Sequence, residues 1–300
     1  MSGNDKSRDT AAAVLCAAAA SAATLWAMSL RLAVTRYSLR SEKLRSRVRL
    51  ALVTDLHSGR YGKNQKTLLD AIDREQPDIL LLGGDICDRL RPFDGAIEFV
   101  TAAAKRYPCF YSAGNHEFKS GLVAEIKRAF AGCGVTVLEG EMRAVTVRGQ
   151  SINVCGVDDP RIDRYPDSGL CFLGELDRLR DTVRAANASS DLASRKETSG
   201  VYASPYSLLL AHRPEYIRTY ASCGFDLVLS GHAHGGQWRL PGFIDGVFAP
   251  GQGLMPKYAG GYHRVGDTDF IVSRGLSRLS PPVPRFFNPP ELVVIDLLPG

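Results

Sequence analysis

Five short polar motifs in this 300-residue chain each stand at the end of an apolar run, and that arrangement restricts the fold more than any other feature. In order they read Asp55-Leu56-His57, Gly83-Gly84-Asp85-Ile86-Cys87-Asp88, Gly114-Asn115-His116-Glu117, Leu210-Ala211-His212 and Gly231-His232-Ala233-His234. The runs ahead of them, Val48–Thr54, Asp78–Leu82, Cys109–Ser112, Tyr206–Leu210 and Phe225–Leu229, have the length and near-continuous apolarity of strands buried on both faces. Helical patterns fall between the early runs, at Gln65–Gln76 (closed by Pro77), Phe93–Arg106 and Leu122–Phe130. The chain therefore reads as α/β, with each motif just past the C-terminal end of a strand. Strand ends of such sheets converge on one edge, which brings residues distant in sequence together.

Beyond Gly134 the rhythm changes. Val135–Leu138, Arg143–Val147 and Ile152–Val157 read as strands, with Gly149-Gln150 as a hairpin turn. A helix is expected around Leu173–Arg184, followed by a polar, small-residue stretch, Ala185–Ser204, that reads as an exposed excursion or a lid. A short helix follows Pro214, and two more strands flank the loop Ser280–Pro290 in the tail. No internal repeat is present. With 45% hydrophobic residues, the chain can bury one large core.

The N-terminal part is of another kind. Thr10–Leu30 carries no charge and has about the length that spans a hydrocarbon core. A single-pass membrane anchor is the expectation, ahead of a cleaved export signal with a site such as Ala20-Ser21-Ala22, or a peripheral Ala-rich tail. The net charge of +5 is concentrated just after it, in Arg31, Arg36, Arg40, Lys43, Arg45, Arg47 and Arg49 against Glu42 alone. Such a flank favours a cytoplasmic orientation, with export as the alternative, and attracts anionic headgroups. The excess is local, so nucleic-acid binding is not expected. The seven cysteines are odd in number and lack a Cys-x-x-Cys pair, so neither a disulfide framework nor a zinc knuckle is signalled. Cys87 lies inside a motif but reads as a buried apolar thiol.

Imidazole, carboxylate and amide oxygen together are ligands for borderline divalent metals. Taken singly, Asp55, Asp85, Asn115 and His212 each have an ordinary reading as a cap, turn, buried carboxylate or loop residue. Five motifs in one order do not. From Val48 onward the set resembles the calcineurin-like metallophosphoesterases. Gly231-His232-Ala233-His234-Gly235-Gly236-Gln237, Pro250-Gly251-Gln252-Gly253 and Arg285-Phe286-Phe287-Asn288 are similar to a bacterial, membrane-associated phosphodiesterase branch, some of whose members cleave phosphodiesters or pyrophosphates, including UDP-diacylglucosamine.

The resemblance implies a four-layer α/β/β/α sandwich over residues 48–300; the charge pattern ahead of it divides into a tail and anchor over 1–30 and a basic linker over 31–47. It implies two divalent ions, drawn from Mn, Fe, Zn or Co. Asp55, His57 and His234 would hold one, Asn115, His212 and His232 the other, and Asp85 would bridge them. His116 would protonate the leaving oxygen, Asp88 would orient it, and Arg89 would contact a phosphate oxygen, although Leu90 replaces the glycine that phosphoprotein phosphatases place next. The expected activity is hydrolysis of a phosphodiester or pyrophosphate in a lipid-linked or nucleotide-linked substrate at a membrane. A phosphomonoesterase and a non-catalytic scaffold are the alternatives, the latter disfavoured because no ligand is missing. His263, outside every motif, is expected to be a surface or loop histidine. Trp238, Phe243, Phe248, Tyr258, Tyr262, Phe286 and Phe287 are expected mainly to pack, with a groove wall as the second reading.

Overall fold

The apolar runs assemble into two six-stranded sheets. The first holds, side by side, β1 (Ala33–Ser41), β14 (Glu291–Pro299), β2 (Val48–Val53), β3 (Ile79–Gly83), β4 (Cys109–Ser112) and β5 (Thr136–Val137). Strands β2 to β5 are parallel, β14 is antiparallel to β2, and β1 runs parallel to β14. The second sheet holds β12 (Gly261–Val265), β13 (Thr268–Val272), β9 (Leu227–Ser230), β8 (Tyr206–Ala211), β7 (Gln150–Val157) and β6 (Glu141–Val147). Its four central strands are parallel and its two edges antiparallel. A separate antiparallel pair, β10 (Phe248–Ala249) with β11 (Gly253–Leu254), lies in the segment after His234. The computed structural model describes residues 27–161, 171–196, 204–278 and 284–300, with Val14, Cys16, Ala17 and Thr24.

Strand periodicity explains the layering. Successive side chains point to opposite faces. Leu50 and Leu52 of β2, Ile79 and Leu81 of β3, and Val293 and Ile295 of β14 share one buried cluster with Ile152, Val154, Leu208, Leu210, Leu227 and Leu229 of the other sheet. The intervening residues Ala51, Val53, Leu80 and Leu82 turn away, toward Leu68, Leu69 and Ile72 of α1 (Lys66–Glu75) and Phe99, Val100 and Ala103 of α2 (Asp94–Ala104). On the far side, Cys155, Val157, Leu209 and Val228 meet Phe172, Leu176, Leu179 and Val183 of α5 (Phe172–Lys196). Between these come α3 (Asn115–Ser120) and α4 (Val123–Gly132), and α6 (Ile217–Ala221) follows β8. Two sheets thus face each other with helices outside. Each fully buried leucine in such a layer contributes roughly 1.5–3 kcal/mol.

Several expectations are corrected. The segment expected to be a basic linker contains β1, because its alternating residues suit an edge strand. Two of its cations are paired within the fold, Arg36 with Glu75 and Lys43 with Asp226 at 2.8 Å, and Arg49 on the neighbouring β2 pairs with Asp296 at 2.8 Å. The single-pass anchor expected at Thr10–Leu30, and the membrane localisation built on it, are also corrected. Most of that segment lies outside the described residues, and among the described residues no helix is long and apolar enough to cross a membrane. The excursion expected from Ala185 is helical as far as Lys196, since Ala, Ser and Leu there continue α5; residues 197–203 lie outside the described residues. The β6–β7 turn is Arg148-Gly149, one residue earlier than expected, with φ of 49° and 76° as a two-residue hairpin turn requires. His263 sits on β12 rather than in a loop, half-buried beside Tyr258 and Phe270.

Candidate metal centre

The motifs meet because their strands end on a common edge. Asp55 follows β2, Asp85 follows β3, Asn115 follows β4, His212 follows β8 and His232 follows β9. The backbone is tied across these ends. The Asp55 N–H donates to Gly84 O (3.0 Å), His57 N–H to Asp85 O (2.9 Å) and Gly231 N–H to His212 O (3.0 Å). The turns are tight. Five of the seven expected ligands, Asp55, His57, Asp85, His232 and His234, have φ between 48° and 64°. Non-glycine residues take this left-handed conformation at a cost of roughly 1–2 kcal/mol each. Two glycines are needed for space: a Cβ on Gly114 would lie 2.4 Å from Asp85 Oδ1, and one on Gly231 2.4 Å from Asp55 Oδ2.

The expected ligand side chains converge. His212 Nε2 lies 3.2 Å from Asp85 Oδ2, His57 Nε2 lies 3.8 Å from the same oxygen, and His234 Nε2 lies 3.6 Å from Asp55 Oδ1. Asp55, His57 and His234 form one group able to hold a cation; Asp85, His212 and His232 form another; His57, Asp85 and His116 form a third. Asn115 is buried at the N-terminus of α3.

The fit to metal rests on orphaned atoms. Nε2 of His57, His212 and His232, Nδ1 of His234 and Oδ1 of Asn115 are buried without a hydrogen-bond partner. An unpaired buried polar atom costs about 1–3 kcal/mol, so this concentration of lone pairs suits a cation. The second nitrogens are oriented as metal-ligand histidines require. His212 Nδ1 donates to Gly83 O at 2.8 Å, and His57 Nδ1 is 3.0 Å from Asp88 Oδ2. Burial pushes the His234 imidazole down to about 3, and burial with His212 and Arg213 nearby holds His232 well below its ordinary value, so both are neutral and able to coordinate. Burial would lower His212 as well, but Asp85 raises it to about 10. Binding a cation at that nitrogen therefore releases a proton. Burial alone would raise Asp85, yet His212, His116 and His57 hold it well below the carboxylate range.

The residues expected to do chemistry lie at the rim. His116 is partly exposed, and its Nδ1 is 3.4 Å from Asp88 Oδ2. Asp88 is thus shared between His116 and His57, with the shorter contact to His57, and both hold its carboxyl below the ordinary range against the effect of burial. Arg89 and Leu90 are exposed on the loop beyond it. Burial pushes the Cys87 thiol up, in keeping with an inert buried side chain. Trp238, Phe243 and Phe248 are 47%, 85% and 48% exposed, so the packing reading fails for these aromatics after His234.

Sequence reasoning gave no role to Glu117. Its Oε2 accepts the Asp85 and Gly114 N–H groups, each at 3.0 Å, and its Oε1 accepts Cys87 N–H at 2.9 Å. One buried carboxylate so fixes two ligand loops. Burial, then Asp85, raises its carboxyl to about 7. Asn288 does the same for a third loop, donating to His234 O at 2.7 Å and Gln237 O at 3.1 Å. The only sequence signals were a carboxylate inside a motif and an asparagine in the Arg285–Asn288 run.

The chain's similarity to known proteins agrees with this geometry. Residues 48–236 match the model of the calcineurin-like phosphoesterases. A Caenorhabditis elegans protein with a metallophosphoesterase name, F40B5.2, is 29% identical over 260 residues, covering 83% of this chain and 48% of the relative, so this chain spans about half of that protein's length. The Escherichia coli (strain K12) phosphodiesterase YaeI is 25% identical over 241 residues, covering 77% of this chain and 76% of its own. Among solved structures, a 5'-nucleotidase precursor from Thermus thermophilus shares the fold, with a TM-score of 0.50 and 14% identity over 84% of this chain and 54% of that one. The chain belongs to the calcineurin-like phosphoesterase family and is a metal-dependent phosphoric ester hydrolase.

Proposed function

We propose that this protein is a dinuclear phosphoesterase that hydrolyses a phosphodiester or pyrophosphate bond. The observation that carries the reading is the set of five buried, unpartnered ligand atoms on His57, Asn115, His212, His232 and His234, grouped around Asp55 and Asp85. Asp55, His57 and His234 would hold one divalent cation, and Asn115, His212 and His232 the other, with Asp85 between them. When bound, a pair of such ions neutralises phosphoryl charge and supplies a nucleophilic water at neutral pH.

The chain's own residues do the rest. His116, partly exposed at the rim, donates a proton to the departing oxygen, a contribution of typically 10²–10⁴-fold. Asp88, 3.4 Å from its Nδ1, fixes the orientation of the ring. The same carboxylate steadies His57, so acid and ligand are positioned together. Arg89 lies on the exposed side of Asp88, where its guanidinium pairs with a phosphate oxygen. The exposed Trp238, Leu240, Phe243, Leu254 and Met255 on the segments after His234 support an amphiphilic organic group on the substrate, as in a lipid-linked phosphodiester. The diester preference is in keeping with the name of the E. coli relative.

The test compares wild type with His116→Ala after loading with Mn, Fe, Zn or Co, on bis(4-nitrophenyl) phosphate and on 4-nitrophenyl phosphate. The expected result is preferential diester cleavage, a loss of at least about 100-fold in kcat for the variant, and unchanged metal content. Equal rates for the two proteins would refute the role of His116. Preference for the monoester would favour a phosphomonoesterase, and absence of metal with no turnover would favour a scaffold.

A further inference from the structure

A cavity of about 340 Å³ adjoins the Asp55–His57 side of the centre. Leu56 and Ser58, which flank His57, form one wall, and Leu276 forms another. Leu276 follows Gly275, where an added Cβ would lie 2.7 Å from Asp55 Oδ2, so the cavity and the centre share backbone. Three guanidinium groups line it, those of Arg60, Arg91 and Arg278, against the single carboxylate of Asp94. Arg60 is paired with Glu98. Arg91 and Arg278 have no carboxylate partner among the described residues, and Arg278 Nε is buried with no hydrogen-bond partner. Arg278 is held in place: its guanidinium lies 3.9 Å over the Tyr61 ring, and the Tyr61 hydroxyl donates to Leu276 O at 2.5 Å.

A guanidinium with no carboxylate partner, prepositioned by stacking, is ready for an anion with two acceptor oxygens. We propose that this cavity binds a second phosphoryl group of the substrate, next to the one that reacts, with Arg91 and Arg278 as its partners. The proposal rests on the phosphoesterase reading above and narrows it to substrates bearing two neighbouring phosphoryl groups. A plain diester would leave the cavity to water.

The test uses the full chain loaded with Mn²⁺ and two non-hydrolysable probes, methylphosphonate and methylenediphosphonate, titrated calorimetrically into wild type, Arg91→Gln and Arg278→Gln. A guanidinium–phosphate hydrogen bond contributes on the order of 1.5–3 kcal/mol, about 10–100-fold in affinity. Each variant is expected to lower the affinity ratio of diphosphonate to monophosphonate by about tenfold. Arg91 lies partly exposed on the loop ahead of α2, outside any helix or strand, so its variant gives a result even where loss of the Arg278–Tyr61 stack disturbs folding. Ratios within twofold of wild type for Arg91→Gln, and for Arg278→Gln where it folds, would overturn the proposal. Turnover of bis(4-nitrophenyl) phosphate by wild type is measured in parallel. Its absence counts against the phosphoesterase reading, while the binding ratio still decides the pocket.

Discussion

Replacing Glu117 by glutamine tests how the ligand loops are held. The carboxylate gives its Oε2 to Asp85 and Gly114 and its Oε1 to Cys87. An amide has one oxygen and one NH₂. With that oxygen at the Oε2 position, two bonds survive without charge assistance, at a loss of about 1 kcal/mol, and the NH₂ confronts the Cys87 N–H. A buried donor facing a donor costs about 1–3 kcal/mol. The total, about 2–4 kcal/mol, divides between global stability and the placement of Asp85 and Asn115. Loss of such a supporting contact lowers metal affinity about 10–100-fold. The assay is titration of Mn²⁺ into metal-free protein beside a thermal melt. The pH dependence is a further check: burial, then Asp85, pushes the Glu117 carboxyl up to about 7, and once protonated it resembles the amide. The affinity gap between wild type and variant is therefore wider at pH 8 than at pH 6. Affinities within twofold at pH 8, with an unchanged Tm, would refute the account.

Three further outcomes are expected. Gly114→Ala places a Cβ 2.4 Å from Asp85 Oδ1 and should lower bound metal well below wild-type content while circular dichroism keeps its α/β form. Burial pushes Glu175 up to about 7, and Asp158, whose N–H bonds Glu175 Oε2, up to about 6. Their folded values exceed the unfolded ones, so stability is fully present below about pH 4 and is lost as pH rises toward 7. Glu175→Gln should flatten that slope in a Tm-versus-pH series and stabilise the protein at pH 8 by about 1–2 kcal/mol, discounted for coupling to Asp158. Removing metal with a chelator should lower Tm by roughly 6–8 °C, the equivalent of about 4 kcal/mol of binding at a thousandfold saturation; a shift below about 2 °C would count against a preformed site.

The parts of the fold legible in the sequence are those that repeat a simple physical pattern. β2, β3, β4 and β8 are apolar on both faces and end in a motif, so their runs and their bounds nearly coincide. β1 was missed because its outward residues are arginines, and alternating Arg, Tyr, Ser and Leu beside an apolar stretch looks like a charged flank until Glu75 and Glu291 are seen opposite. At the centre, side chains with recognisable metal chemistry could be named in advance. Glu117 and Asn288 could not, since their partners are backbone groups whose positions depend on the finished turns.

The place of β14 in the first sheet has a kinetic consequence. β1 and β2 are joined by a short connection, yet β14 lies between them, and Thr35 is paired with Val293 while Leu52 pairs with the same residue from the other side. Those two early strands must stay apart, with a slot open for a segment about 240 residues downstream. Closing so long a loop is entropically slow, and an open slot is an adhesive edge while it lasts. Productive folding should then be limited by insertion of this strand, and chains interrupted before residue 291 should aggregate rather than fold into a smaller phosphoesterase.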